Sequence, residues 1–198
     1  AGNRVMLKPS ELTPHTSGLT ARLVQENFSP DEFCVVQGGA EVAAEFATQP
    51  FDHLFFTGST AVGRKVAEAA ARNLTPTTLE LGGKSPCVID GSASLDDVAV
   101  KIVHGKLLNA GQTCIAPDYL LLPRGREAEF ERAWQGAVGR LFPTLEGNAD
   151  YAAIVSDRHL ARLQSMVHEA VDAGARGVEA ADASRSGVQS TARWPPDA

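Results

Sequence analysis

Two residues of this chain have the type and setting for covalent chemistry. They are Cys114, in Gly111-Gln112-Thr113-Cys114-Ile115-Ala116-Pro117, and Glu80, in Leu79-Glu80-Leu81-Gly82-Gly83-Lys84. A free thiol with a pKa of ~8.5 is a weak nucleophile at neutral pH unless backbone amides, a cation or a helix end favour the thiolate. The small residues before Cys114, and Pro117 beyond it, should hold the sulfur on a constrained bend whose exposed amides could bind a developing oxyanion. Cys34 and Cys87 lie in apolar strand-like runs and read as small buried hydrophobes. Glu80 alternates with Leu79 and Leu81, so in a strand its carboxylate points away from both. Such a group can act as a general base when burial lifts its pKa, or be an ordinary strand residue facing solvent. Histidine offers no better base: His104 is mid-helix, and His15, His53, His159 and His168 form no cluster.

A second constellation is suited to binding phosphate. The run His53-Leu54-Phe55-Phe56-Thr57 reads as a strand that enters a helix through Gly58-Ser59-Thr60-Ala61-Val62-Gly63. Backbone N–H groups at such a junction can meet a pyrophosphate, and glycine permits close approach. The spacing is not GxGxxG, and the same residues also make a simple turn with an N-cap. Lys8 and Glu11, just past the first strand, stand where a nucleotide ribose would be held at the carboxyl edge of a parallel sheet. A carboxylate there would accept from ribose hydroxyls and repel the extra phosphate of NADP. The plainer alternative is a surface ion pair.

The elements that must position these groups follow from periodicity. Arg4 to Leu7 reads as a short buried strand, followed by a helix with Thr13 as N-cap and Pro14 at its first position. Phe33 to Gln37 is a second strand closed by Gly38-Gly39, and an Ala-rich helix runs from about Ala40 to Ala47. With the third strand and the helix through Val66, Ala70 and Ala71, the alternation predicts a parallel sheet covered by helices on both faces. The Gly82–Pro86 hinge divides the chain into domains 1–81 and 82–198. Beyond it come a strand at Cys87-Val88-Ile89, a helix from Leu95 to Asn109, a strand at Tyr119–Leu122, a helix bearing Phe130, Trp134, Val138 and Leu141, and a last helix over Asp157–Asp172. From about residue 181 the composition turns to that of an exposed loop or frayed tail.

Composition bounds the function. With 43% hydrophobic and 21% charged residues the chain is globular, and a net charge of -6 without a basic cluster argues against a nucleic-acid partner. Arg64-Lys65 and Arg124/Arg126 read as solvated charges. The odd cysteine count, without CxxC spacing, suggests neither a disulfide framework nor a metal site, and points to a reducing, cytoplasmic compartment. No apolar run approaches the ~18 residues of a membrane span.

Together, KPSELTP (8–14), FFTGSTAVGRKV (55–66), LELGGKSPCVID (79–90) and GQTCIAPDYLL (111–121) resemble the aldehyde dehydrogenase superfamily in order and spacing. The resemblance implies an α/β fold, with part of a Rossmann-like NAD-binding domain followed by part of an α/β catalytic domain. It implies Cys114 as nucleophile and Glu80 as general base, with Lys8, Ser10, Glu11, Gly58, Ser59, Val62, Gly63 and Leu81 holding the cofactor, NAD or, less suited to Glu11, NADP. The implied reaction is thiolate attack on an aldehyde, hydride loss from the thiohemiacetal to NAD+, and hydrolysis of the thioester by water that Glu80 activates. Asp150 to Leu160 is similar to the branch with class 3 and coniferyl-aldehyde dehydrogenases, which implies aromatic or medium-chain aliphatic aldehydes and a homodimer.

The family's upstream oxyanion-hole Asn and its downstream Glu-x-Phe-Gly-Pro segment are not present in this sequence. The chain is therefore expected to be an internal fragment with little turnover of its own. Two alternatives stay open: an acylating enzyme forming acyl phosphate or acyl-CoA, against which Glu80 argues, and a non-catalytic binding or scaffold remnant.

Overall fold

The computed structural model describes residues 2–144 and 148–177. The composition change expected from about residue 181 lies outside them. The chain is mixed α/β and divides into two compact units, one within Ala1–Gly82 and the other within Gly83–Ala198.

In the first unit the order is β1 (Val5–Leu7), α1 (Pro14–Asn27), β2 (Phe33–Val35), α2 (Ala40–Phe46), β3 (Leu54–Gly58), α3 (Thr60–Ala71) and β4 (Thr77–Leu81). Strands β1 and β2 pair in parallel from Val5↔Phe33 to Leu7↔Val35, and β3 and β4 from Leu54↔Thr77 to Gly58↔Leu81. Each pair is joined through a helix, as parallel neighbours require. Pro14 opens α1, where its fixed φ suits the helix and its missing N–H costs nothing. Ser59 caps α3 by accepting from the Val62 amide at 3.3 Å. The small core joins Ala47, Leu54 and Ala70, with Phe46, Phe51 and Val66 packed around them.

The second unit runs β5 (Ser85–Val88), α4 (Leu95–Leu107), a 3-10 turn over Leu108–Gly111, β6 (Pro117–Leu121), α5 (Glu127–Leu141) and α6 (Asp157–Asp172). Strands β5 and β6 are parallel, with a register shift between Ser85 and Pro86. Ser94 caps α4 by accepting from the Asp97 amide at 3.5 Å, and Asp96 and Asp97 in the first turn and Lys106 in the last complement the helix dipole. Helices α4 and α5 bury Leu95, Ala99, Ile102 and Val103 against Phe130, Ala133, Ala137 and Val138. Ala99 and Ala137 are both at 0% exposure, so small side chains set the close approach of the two helices. Each fully buried valine, Val103 or Val138, is worth about 1.5–3 kcal/mol in transfer free energy.

Several expectations are corrected. The first strand is not buried: Val5 and Met6 are 44% and 47% exposed, because no helix packs on β1 among the described elements. The alternation does give parallel pairing, but the first unit holds two separate two-stranded sheets instead of one covered sheet. Thr13 precedes α1 without a side-chain capping bond; Ser17 N–H bonds its carbonyl at 2.9 Å instead. Cys34 and Cys87 are half-buried. The helix expected to reach Asn109 stops at Leu107, because the backbone turns left-handed just beyond.

Candidate functional site

The first unit carries the phosphate-binding candidates. Strand β3 ends at Gly58, Ser59 adopts an extended conformation and α3 begins at Thr60, so the helix N-terminus opens directly at the strand's carboxyl end. A Cβ on Gly58 would meet Phe56 Cζ at 2.5 Å, and one on the buried Gly63 would meet Leu81 Cδ2 at 2.7 Å. Leu81, on β4, therefore packs into the space that Gly63 leaves open, fixing α3 closely on the strand pair. Val62 is 48% exposed on the first turn.

Lys8 Nζ and Glu11 Oε2 form an ion pair at 2.8 Å, with the lysine side chain 9% exposed and the glutamate 44%. The bond donated by Lys8 holds the Glu11 carboxyl below its ordinary range. A cavity of 260 Å³ adjoins this pair, lined by Pro9, Ser10, Glu11 and Pro14 and, across from them, by Gln37, Gly38 and Gly39. Ser10 accepts from the Leu12 amide at 3.2 Å through its hydroxyl and from Ser17 Oγ at 2.7 Å through its carbonyl. Gly38 has φ +156, and a Cβ there would meet Val42 Cγ2 at 2.5 Å, so the far wall depends on glycine. Gln37 and Gly38 belong to this cavity although the sequence marks them only as the end of a strand.

Glu80 is the exposed residue of β4, opposite Thr57 in register and flanked by half-buried Leu79 and Leu81. The alternation expected for it is present, but within its own unit the carboxylate is not buried.

In the second unit Cys114 is exposed on the loop between the 3-10 turn and β6. Three successive left-handed residues, Asn109 (φ 52), Ala110 (φ 53) and Gly111 (φ 77), lead into it. For alanine this conformation costs roughly 1–2 kcal/mol, which the surrounding bonds must offset. The Ser85 hydroxyl donates to the Cys114 carbonyl at 3.5 Å. Among the described residues the amides of Thr113, Cys114 and Ile115 donate to no protein acceptor, while their neighbours Gln112 N–H and Ala116 N–H bond Asn109 O at 3.1 Å and Thr113 O at 3.3 Å. Amides without a protein acceptor beside an exposed sulfur remain available to an anionic oxygen.

The loop is tethered at both ends by residues to which the sequence assigns no role. Gln112 Nε2 donates to Ala153 O at 3.0 Å and to Asn109 O at 2.9 Å, while Gln112 Oε1 accepts from Val155 N–H at 2.9 Å. At the other end, the Asp118 carboxylate pairs with Lys84 at 3.1 Å and Lys106 at 3.5 Å. The hydrogen bond from Lys84 is the main reason the Asp118 carboxyl sits below the usual range, with both lysine charges adding to it. Only the sequence-distant partners reveal these roles, and no local pattern announces them. The described residues hold no cluster of metal-ligating side chains and no helix long and apolar enough to cross a membrane. Glu80 belongs to the first unit and Cys114 to the second.

Comparison with known proteins agrees with the resemblance seen in the sequence. The model of the aldehyde dehydrogenase family matches residues 1–191. A probable coniferyl aldehyde dehydrogenase of Pseudomonas aeruginosa is 50% identical over 175 residues, covering 88% of this chain and 37% of the relative. Aldehyde dehydrogenase family 3 member A2 of Macaca fascicularis is 44% identical over 84% of this chain and 35% of its own length. Among solved structures, a Mycobacterium tuberculosis aldehyde dehydrogenase complexed with NAD+ superposes with a TM-score of 0.79 at 33% identity, covering 89% of this chain and 37% of that one. The chain thus spans little more than a third of the length of these relatives. By the extent of the family match and the identity to these relatives, this chain belongs to the aldehyde dehydrogenase family.

Proposed function

We propose that the whole protein oxidises an aldehyde, aromatic or medium-chain aliphatic, to its carboxylic acid with NAD+, and that Cys114 and Glu80 carry the chemistry. The observation that carries this reading is the Cys114 loop: an exposed thiol beside three uncommitted amides, in a chain of this family. The substrate class is supported by the coniferyl aldehyde dehydrogenases among the relatives.

The residues of the first unit fit a dinucleotide. The capped N-terminus of α3 offers amides and the Ser59 hydroxyl to a pyrophosphate, with Val62 and Gly63 on the same turn and Leu81 backing it. Lys8, Ser10 and Glu11, beside the 260 Å³ cavity, offer polar partners for a ribose. Bound NAD+ would supply the two-electron acceptor; NADP is disfavoured because its extra phosphate would meet the Glu11 carboxylate.

In the proposed sequence the Cys114 thiolate attacks the carbonyl carbon, and the new oxyanion is met by the loop amides. Once the adduct is oxidised, Cys114 holds the acyl group as a thioester. Glu80 takes a proton from water as its oxygen attacks the thioester carbonyl, and cleavage of the C–S bond frees the acid and returns the thiolate. Three free half-buried or exposed cysteines suit a reducing compartment, and a cytoplasmic homodimer is part of the reading. The 198 residues alone are proposed to turn over little, since losing even one oxyanion donor costs ~10²–10³ in rate.

Rapid-quench kinetics of Glu80→Gln in the whole protein tests the reading. The variant should release about one equivalent of NADH per site and then slow by at least ~10²-fold, with an acyl mass on the Cys114 peptide. An active wild-type enzyme whose Cys114 peptide never carries that mass would refute the assignment.

A further inference from the structure

The Gln112 side chain makes a two-sided contact with main chain 41 and 43 residues away: it donates to Ala153 O at 3.0 Å and accepts from Val155 N–H at 2.9 Å. This is the pattern by which one strand residue bonds its neighbour, reproduced by a side-chain amide two positions before the nucleophile. Its Nε2 also donates to Asn109 O at 2.9 Å, and Asn109 Nδ2 returns a bond to Gln112 O at 3.3 Å. Both hydrogens of the amide and its oxygen are thus committed, and its bonds close around the left-handed stretch Asn109–Gly111.

The far side of the contact is itself anchored. The Phe142 and Tyr151 rings pack edge to face with centroids 5.3 Å apart. Asn148 Nδ2 donates to Thr144 O at 2.8 Å, its Oδ1 accepts from Asp150 N–H at 2.9 Å, and its carbonyl accepts from Tyr151 N–H at 3.2 Å. Just beyond Val155, Ser156 caps α6 by accepting from His159 N–H at 3.4 Å. A loop with two non-glycine residues, Asn109 and Ala110, in the left-handed region is therefore tied, through one side chain, to a segment fixed to the end of one helix and the start of another.

We infer that Gln112 is the positioning residue for the nucleophile: its clamp on the main chain of Ala153 and Val155 holds the Cys114 loop in the geometry for attack. The inference rests on the proposed reading of Cys114. Gln112 touches neither the sulfur nor the reacting carbon in this account; it acts through the loop. A misplacement of about 1 Å in a nucleophile can cost on the order of 10²-fold in rate, and the left-handed stretch provides the strain that would drive the loop away once the clamp is lost.

The test compares Gln112→Met, which keeps the side-chain length and removes every hydrogen bond, with Gln112→Glu, which keeps the acceptor for Val155 and loses the two donors. Amide hydrogen exchange at Val155 and steady-state kinetics with benzaldehyde and NAD+ are measured in the whole protein. In Gln112→Met, Val155 should lose at least about 10-fold of its protection, and kcat should fall by on the order of 10–100-fold with KM for aldehyde changed less than about threefold. Gln112→Glu should keep Val155 protected and recover part of kcat. Wild-type protection at Val155 retained in Gln112→Met, or kcat unchanged despite its loss, overturns the inference. So does a loss in KM alone, or in folding stability with kcat intact. A wild-type protein that exchanges as described but oxidises no aldehyde would instead remove the functional reading, leaving a clamp without a nucleophile to position.

Discussion

The turn at Gly58–Gly63, the proposed phosphate cradle, and the loop around Cys114, the proposed nucleophile, are held in opposite ways. The turn is local. Strand, cap and helix follow one another in sequence, Ser59 caps its own helix, and the long-range requirement is that Leu81 fill the space beside Gly63. The thiol loop is held from afar: Gln112 reaches Ala153 and Val155, Asp118 reaches Lys84 and Lys106, and Ser85 reaches the Cys114 carbonyl. A phosphate cradle can rely on the intrinsic geometry of a helix end. A nucleophile that must meet a carbon at one angle needs a backbone that helix and strand do not supply, and the left-handed run at 109–111 shows that departure.

Three experiments probe the difference, beginning with the largest effect. Cys114→Ser removes the thiolate while keeping the loop's tethers. Turnover in the whole protein should fall by on the order of 10⁴-fold or more, while NAD+ affinity, measured by fluorescence titration, should stay within about twofold because the cradle belongs to the other unit. A matching loss of NAD+ affinity would break the separation drawn here.

Gly63→Val acts on the cradle alone. Even its Cβ falls 2.7 Å from Leu81 Cδ2, so α3 must lift or Leu81 must leave its rotamer. The expected cost is about 1–3 kcal/mol in stability, read by denaturant titration, together with weaker NAD+ binding and little change in iodoacetamide labelling of Cys114. Unchanged stability would show that Leu81 gives way freely and that the local fit matters less than argued.

Asp118→Asn has the smallest effect and sharpens the comparison through pH. Because the folded carboxyl lies below its ordinary value, its ion pairs stabilise the fold fully above the unfolded pKa of ~3.9, and that contribution is lost as pH falls through the lower folded value. The Asp118 side chain is 29% exposed and Lys84 76%, so the contribution should be under ~1 kcal/mol. Urea titrations between pH 2.5 and 6 (a range of about one to two units around the titration) should show the wild-type advantage over Asp118→Asn shrinking toward acid. An advantage that grows toward acid would contradict the ion-pair account.

What the sequence made legible follows the same division. The α3 start, the Glu80 alternation and the span of α6 are legible because each depends on residues close in the chain: Ser59 before Thr60, leucines either side of Glu80, and the helix-forming run from Asp157 to Asp172. The exposure of β1 is not legible, because apolar content tells what a strand can bury and not whether an element lies over it; Met6 is 47% exposed. The Gln112 and Asp118 tethers were invisible because a glutamine and an aspartate carry no sign of the partner chosen by the fold. The Gly38 wall of the cavity could have been suspected from a glycine pair after a strand, but only the fit against Val42 gives it a reason.

The clamp at Gln112 addresses only carbonyl and amide of Ala153 and Val155, never their side chains. Exchanging the exposed side chains of Ala153 and Val155 while leaving their peptide units in place should therefore spare both bonds, whereas proline at 155, which has no N–H, should remove one. Sequence freedom should thus lie at the two exposed side chains of the contact, and constraint at the glutamine that faces their main chain.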